Sequence, residues 1–328
     1  MKNNFYLLQH GELIKKDNSI EFISKDNQKT NIPLLQVDAI YTFATVSISS
    51  ECLKLLSNNG IVVHYFDYYE NYIGTFYPKI IKTLNGDLLV KQVHTFCDID
   101  KRLEVSKETI KASFKNMHRL IGYYSKRKSV NCDDFELHYV ASMEKIVKAN
   151  SINDIMILEA NLHKIYYNYW NKFLNFDYGF HKREKKDAKD IINALLSFLN
   201  SLLYSLIVSE IYKTGLNPTI SYLHEPSQSR FSLSFDIAEI FRPILVERLI
   251  FNLLNKNIIQ DNDFINYRFT ESAIKKILYH WDNKINETIY HRKLKRNISY
   301  RYLIREELYK LVRYVKGECA YKGFVMWW

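Results

Sequence analysis

The spacing of apolar residues changes character once, between about residues 78 and 88, and this constrains the fold of the 328-residue chain more than anything else in it. Before the change, apolar residues come in short runs bounded by turn formers, the pattern of strands. Phe5-Tyr6-Leu7-Leu8 ends at a His10-Gly11 turn, and Ile20, Phe22 and Ile23 precede a polar connection over Ser24–Thr30. Val37–Tyr41 and Val46-Ser47-Ile48 follow at similar intervals, and Ile61–Phe66 and Tyr72–Phe76 complete the set. One helix is expected near 50–59, with Ser50 as N-cap, a stripe through Cys52, Leu55 and Leu56, and Asn58-Asn59-Gly60 as its stop. Pro78 and an Asn85-Gly86-Asp87 turn mark a linker. Beyond it, helical spacing predicts helices over about 88–105, 107–128, 134–149, 152–175, 188–213, 233–255, 270–281 and 300–316. The expected class is α+β: a small β-sandwich-like domain over 1–84, then a larger all-helical catalytic domain over 88–328.

Charge narrows the partners. Lys and Arg total 46 against 36 Asp and Glu, a net charge of +10, which favours a polyanion such as nucleic acid or a membrane surface. Basic residues cluster at Lys126-Arg127-Lys128, at His181-Lys182-Arg183 with Lys185-Lys186, and at His291-Arg292-Lys293 with Lys295-Arg296. Cys52, Cys97, Cys132 and Cys319 are far apart and form no C-x-x-C pair, which argues against a zinc site or a disulfide framework and for a reducing interior. The amino terminus has too short an apolar run for a secretory signal. Ile191–Val208 is long enough to raise the membrane question, but Asn193, Ser197, Asn200, Ser201 and Ser205 within it fit a buried core helix better. The expected setting is cytoplasmic, with no membrane.

The chemistry is concentrated in Ser221–Pro243. It sets His224 in a Pro-containing loop, followed by Asp236 and Glu239 three positions apart. On a helix these two carboxylates share a face, and like charges so close need a proton or a cation between them. Glu159 lies on or beside the apolar stripe of the helix that opens at Ser151, where an unpaired carboxylate is costly. Its partner is either a nearby base or a metal shared with His224 and Asp236 or Glu239. One imidazole with two or three carboxylates suits Mg²⁺ or Mn²⁺ better than zinc. Such a site on a basic protein points to phosphodiester chemistry. A solvated acidic helix face is the competing reading of Asp236 and Glu239. His163, at Glu159+4, is the other histidine placed to lie near the site.

Taken together, Glu159-Ala160-Asn161, Leu223-His224-Glu225-Pro226-Ser227 and Asp236–Pro243, with Asp190–Leu199 and the β-then-helical layout, resemble the Cas1 family of CRISPR adaptation integrases. The resemblance spans nearly the whole chain. It implies Glu159, His224 and Glu239 as metal ligands and Asp236 as an active-site carboxylate, and Arg242 would suit a scissile or flanking phosphate. It further implies Mg²⁺- or Mn²⁺-dependent cleavage and strand transfer on double-stranded DNA, in which the 3′-hydroxyl of a captured fragment attacks a phosphodiester at the CRISPR repeat. Family members work as homodimers on a small partner, Cas2. A stand-alone structure-selective DNA nuclease and a non-catalytic nucleic-acid binder are the alternatives.

Overall fold

Runs of β-branched and aromatic residues separated by Gly, Asn and Asp turns become strands, and longer stretches of helical period become helices. The computed structural model describes residues 3–67, 69–78, 86–184, 188–226 and 231–327. It divides into two compact units, Met1–Leu84 and Asn85–Trp328.

The first unit contains two four-stranded sheets. One has the order β1 (Asn3–Leu7), β5 (Val37–Thr42), β7 (Val62–Phe66) and β8 (Tyr72–Phe76), parallel except for the last pair. The other has the order β4 (Lys29–Ile32), β3 (Ser19–Ser24), β2 (Gly11–Lys16) and β6 (Val46–Ile48). Leu7, Leu13, Ile20, Phe22, Ile40 and Val63 meet in one core, which helix α1 (Ser50–Asn58) closes with Cys52 and Leu56. The N-cap of α1 is Ser49, one residue earlier than expected: its side chain accepts from the Cys52 amide, and Ser50 is already helical. Strands β2 and β4 take in Gly11, read from sequence as a turn, and Lys29 and Thr30, read as connection; Leu13 and Ile32 are their only fully buried side chains, so neither run signals a strand.

The second unit is helical. Its helices are α2 (Gly86–Cys97), α3 (Ile99–Lys128), α4 (Asp133–Lys148), α5 (Ile152–Tyr167), α6 (Trp170–Phe173), α7 (Ile191–Tyr212), α8 (Ser232–Phe241), α9 (Arg248–Asn255), α10 (Glu271–Asn286) and α11 (Tyr300–Val315). The break expected near 106 lies at Asp98, whose carboxylate caps α3 through the Lys101 amide. Gly86 and Asp87, read as a turn, open α2; Asn85 lies outside the described residues. The single helix expected over 233–255 is instead α8, a π-helical turn over Arg242–Glu247, and α9. Two ribbons, β9–β10 (Phe264–Ile265, Arg268–Phe269) and β11–β12 (Thr288–His291, Arg296–Ser299), interrupt what the sequence suggested was all helix. The His291–Arg296 basic cluster forms the turn of the second ribbon.

Helix α7 is apolar and buried on most of its surface, with one half-buried stripe at Ala194, Ser197, Ser201 and Tyr204. Of the apolar stretch long enough to cross a membrane, 78% is buried inside the protein. Around it pack α8, α11 and the π-helical turn, and α3 packs on α8.

Asn116 ties this packing together. From α3 its amide donates to the Ile240 carbonyl at 2.9 Å and the Phe324 carbonyl at 3.0 Å, and its oxygen accepts from the Met326 amide at 2.8 Å. The segment around Phe324 is thereby held against α3 and α8. Gly323 allows this close approach, since a Cβ there would lie 2.6 Å from Ala112 Cβ and 2.8 Å from the Glu108 carbonyl. Asn116→Ala leaves three buried backbone groups unsatisfied, so we expect a loss of about 2–3 kcal/mol in unfolding free energy. A urea midpoint unchanged from the parent protein would refute this.

Candidate active site

Two elements and the turn after them bring the acidic residues together. Helix α5 begins at a capping box, with Ser151 Oγ accepting from the Asp154 amide and Asp154 accepting from the Ser151 amide. That start fixes the rotation of α5 and sets Glu159 and His163 one turn apart on the same side. His163 Nδ1 lies 2.9 Å from Glu159 Oε1 and 3.1 Å from the Glu159 carbonyl. Both neighbours are acceptors, so Nδ1 carries the proton. Burial works against charge on both side chains, but their mutual attraction and hydrogen bond outweigh it. Glu159 is held down at about 2 and His163 is raised to about 9. Charges on Arg242 and His224 lower Glu159 further.

Helix α8 contributes the other carboxylates. Asp236, almost fully buried, faces back to the loop before it. Oδ2 accepts from the Tyr222 amide at 2.6 Å and the Leu223 amide at 3.0 Å. Oδ1 accepts from the His224 amide at 3.0 Å and from His224 Nδ1 at 2.8 Å. Asp236 thus fixes the 222–224 loop and keeps a proton on His224 Nδ1, so Nε2 is the nitrogen that offers a lone pair when the ring is neutral. Burial lowers the His224 pKa, but the hydrogen bond and charge of Asp236 outweigh it and raise it above the ordinary value.

Glu239 sits one turn further along α8. One oxygen takes a guanidinium N–H of Arg242, while Oε2 is buried with no hydrogen-bond partner. Arg242 also donates to Tyr204 Oη from α7, which holds its plane across the site. The π-helical turn that starts at Arg242 ends at Glu247, which is fully buried and accepts from Tyr166 Oη of α5. Burial pushes the Glu247 carboxyl up to about 7.

Ligand atoms of Glu159, His163 and Glu239 all lie within 4.8 Å of one another, and among the described residues no other set of three has this property. Of the trio implied from sequence, the structure therefore groups Glu159 with Glu239. His224 stands beside them: its Nδ1 is held by Asp236, while its charge still acts on Glu159. The sequence marked His163 as a neighbour by its i+4 spacing from Glu159, and the structure places it inside the group. Tyr204, Tyr166 and Glu247 carried no sequence signal, because nothing distinguishes them from core residues before α5, α7 and α8 are packed.

The residues fit a hard divalent cation. Glu159 and Glu239 supply oxygen, His163 stands within the same group, and the unpartnered buried Oε2 of Glu239 is an atom in need of a positive neighbour. Of the basic clusters, Arg183 is turned inward and donates to Asn193 Oδ1 at 3.0 Å and Ser197 Oγ at 3.1 Å, so it is not a surface contact. Lys185, Lys186 and Ser227 lie outside the described residues.

Residues 5–283 match the family model for CRISPR-associated protein Cas1. A CRISPR-associated endonuclease Cas1 from Fusobacterium nucleatum is 41% identical over 336 residues, covering 100% of this chain and 98% of the relative. A solved Cas1 protein from Thermotoga maritima superposes with a TM-score of 0.85 at 31% identity, covering 98% of this chain and 99% of that one. A casposase solved bound to its integration product has a TM-score of 0.87 at 22% identity, covering 98% and 93% of the two chains, and shares the fold.

Proposed function

Because the chain belongs to the Cas1 family, the endonucleases and integrases of CRISPR adaptation, we propose that it joins captured DNA fragments to a CRISPR repeat in a metal-dependent strand transfer. The observation that carries this reading is the buried, unpartnered Oε2 of Glu239 beside Glu159 and His163. Glu159, Glu239 and His224 Nε2 are the proposed ligands of Mg²⁺ or Mn²⁺. When bound, the cation supplies acidity to an attacking hydroxyl and positive charge beside the phosphate.

The chain's own residues do the rest. Asp236 sets the tautomer and orientation of His224. His163 holds the Glu159 carboxylate ionised and in one position. Arg242, gripped by Glu239 and Tyr204, presents its guanidinium to a phosphate oxygen. In the transfer, the 3′-oxygen of the fragment forms a bond to phosphorus as the 3′-oxygen of the cut strand leaves with the proton. The bond count is unchanged, so neither a covalent protein intermediate nor an external energy source is required. Double-stranded DNA, a second copy of the chain and a Cas2-like partner are the proposed assembly, and the cytoplasm its place.

The test uses the protein and its Cas2-like partner with a short duplex bearing free 3′-hydroxyl ends, a repeat-bearing plasmid and Mn²⁺. Joined products should form, disappear with EDTA, and fall by about 10²–10³-fold in His224→Ala. Cutting without joining would instead support a stand-alone nuclease. Joining that survives EDTA or His224→Ala would rule out the proposed site.

A further inference from the structure

A cavity of about 500 Å³ opens where α3, α9 and α10 converge, and none of the residues of the candidate active site lines it. Its wall carries Arg127, Lys128, Arg248, Lys256 and Lys284 against one acid, Glu287. These cations come from three helices and the end of α9, so folding gathers them from positions more than 150 residues apart in sequence. Like charges do not collect around one concavity without cost, and a bound anion relieves that cost.

Lys284 makes the point most sharply. Its side chain is 12% exposed, and its one carboxylate partner, Glu287 at 2.8 Å, is 53% exposed. Burial lowers the Lys284 pKa below the ordinary lysine value despite Glu287. Beside it the wall is aromatic. The Arg248 guanidinium lies 5.4 Å from the centre of the Tyr123 ring, and that ring is 40% exposed. Arg127 also reaches the Tyr123 hydroxyl, and Lys128 is held by Asn175.

We propose that this cavity is a second subsite that seats one phosphorylated nucleotide, its phosphate on the lysines and arginines and its base against the Tyr123–Arg248 pair. The volume falls within the ~300–1,000 Å³ usual for a small-ligand cleft. Cations beside an exposed aromatic ring match a phosphate joined to a flat base better than they match an acidic peptide. The phosphate could belong to a DNA strand or to a free nucleotide. The proposal rests on the DNA reading above only for the choice of DNA as the strand to test.

The test measures binding of the full chain, in EDTA, to a 5′-phosphorylated dT12 labelled at its 3′ end, by fluorescence anisotropy over a range of NaCl. Arg127 and Lys256 are exposed, so Arg127→Ala/Lys256→Ala should keep the parent's melting temperature. We expect affinity to fall about tenfold and the salt dependence to become shallower by about 1.4 in log–log slope. Lys126→Ala/Lys148→Ala removes the same charge from exposed positions outside the cavity and should change affinity by less than about twofold. Equal losses in the two pairs, or no loss in the first, would overturn the proposal. A second arm titrates dTMP calorimetrically. Binding to the parent but not to Arg127→Ala/Lys256→Ala assigns the site to a free nucleotide, whereas loss confined to dT12 assigns it to a strand. Since no cutting or joining is measured, failure here leaves the proposed active site untouched, and failure of that site leaves this result standing.

Discussion

Glu159→Gln should abolish metal-dependent cutting and joining, with a fall of about a thousandfold or more. Removing a proposed ligand of the metal, with several kcal/mol of transition-state stabilisation, has that consequence, because each 1.4 kcal/mol is about tenfold in rate. The substitution keeps the shape of the side chain and removes its charge. Glu159 is partly exposed, so the fold has little reason to change. His163 loses its anionic partner at the same time, and its pKa should drop from about 9 toward the ordinary value as burial takes over. The experiment pairs the joining assay with the melting curve and with an NMR titration of His163. A variant that melts like the parent but retains more than about a tenth of its activity would remove Glu159 from the reaction.

Asp236→Ala should act differently, on the fold and on activity together. Its two oxygens accept three backbone amides and one imidazole, so truncation leaves a set of buried donors with nothing to bond to. Breaking a buried charged network of this kind costs roughly 3–5 kcal/mol. Asp236→Asn is the informative companion. It preserves volume, but its amide nitrogen must face donors on one side, either the Tyr222 and Leu223 amides or those of His224. We expect Asn to recover part of the melting temperature and little of the activity, because His224 is no longer held in the tautomer that exposes Nε2. Full activity in Asp236→Asn would show that His224 needs no such support.

Particular residues show what could be read from the chain beforehand. The start of α5 was legible because Ser151 and Asp154 satisfy one another locally, with no help from the rest of the protein. The strands β5 and β7 were legible because nearly every residue in them is buried, so apolar residues dominate them with only Asp38 and His64 intervening. Strand β2 was not, since five of its six residues are polar or only partly buried and its identity comes from its neighbours β3 and β6. The π-helical turn was invisible for a related reason. Pro243 lacks an N–H and so cannot close the hydrogen bond an α-helix would ask of it, yet the apolar spacing runs on through Ile244, Leu245 and Val246. Helix spacing by itself cannot say whether such a proline bends the helix, ends it or widens one turn.

The acidic site divides in the same way. Asp236 and Glu239 were legible as a pair because their spacing lies within one helix, and Glu159 because its position on an apolar stripe demanded a partner. Which histidine stands closest to the two glutamates was not legible. That depends on how α5 meets α8, and on the bond by which Asp236 draws His224 toward its own loop. The cationic cavity lay beyond sequence reading altogether: Lys126-Arg127-Lys128 was visible as a cluster, but Arg248, Lys256 and Lys284 join it only through packing.

The tie made by Asn116 also sets an order of events during synthesis. The Ile240 carbonyl and the Phe324 carbonyl share one amide on α3, yet the second leaves the ribosome about eighty residues after the first. At roughly 5–20 residues per second, α8 and its two carboxylates are made about 4–16 seconds before the segment that braces them arrives. For that interval Asn116 has one of its acceptors and lacks the rest. A nascent chain therefore carries all the acidic residues of the site before the segment around Phe324 can brace α8.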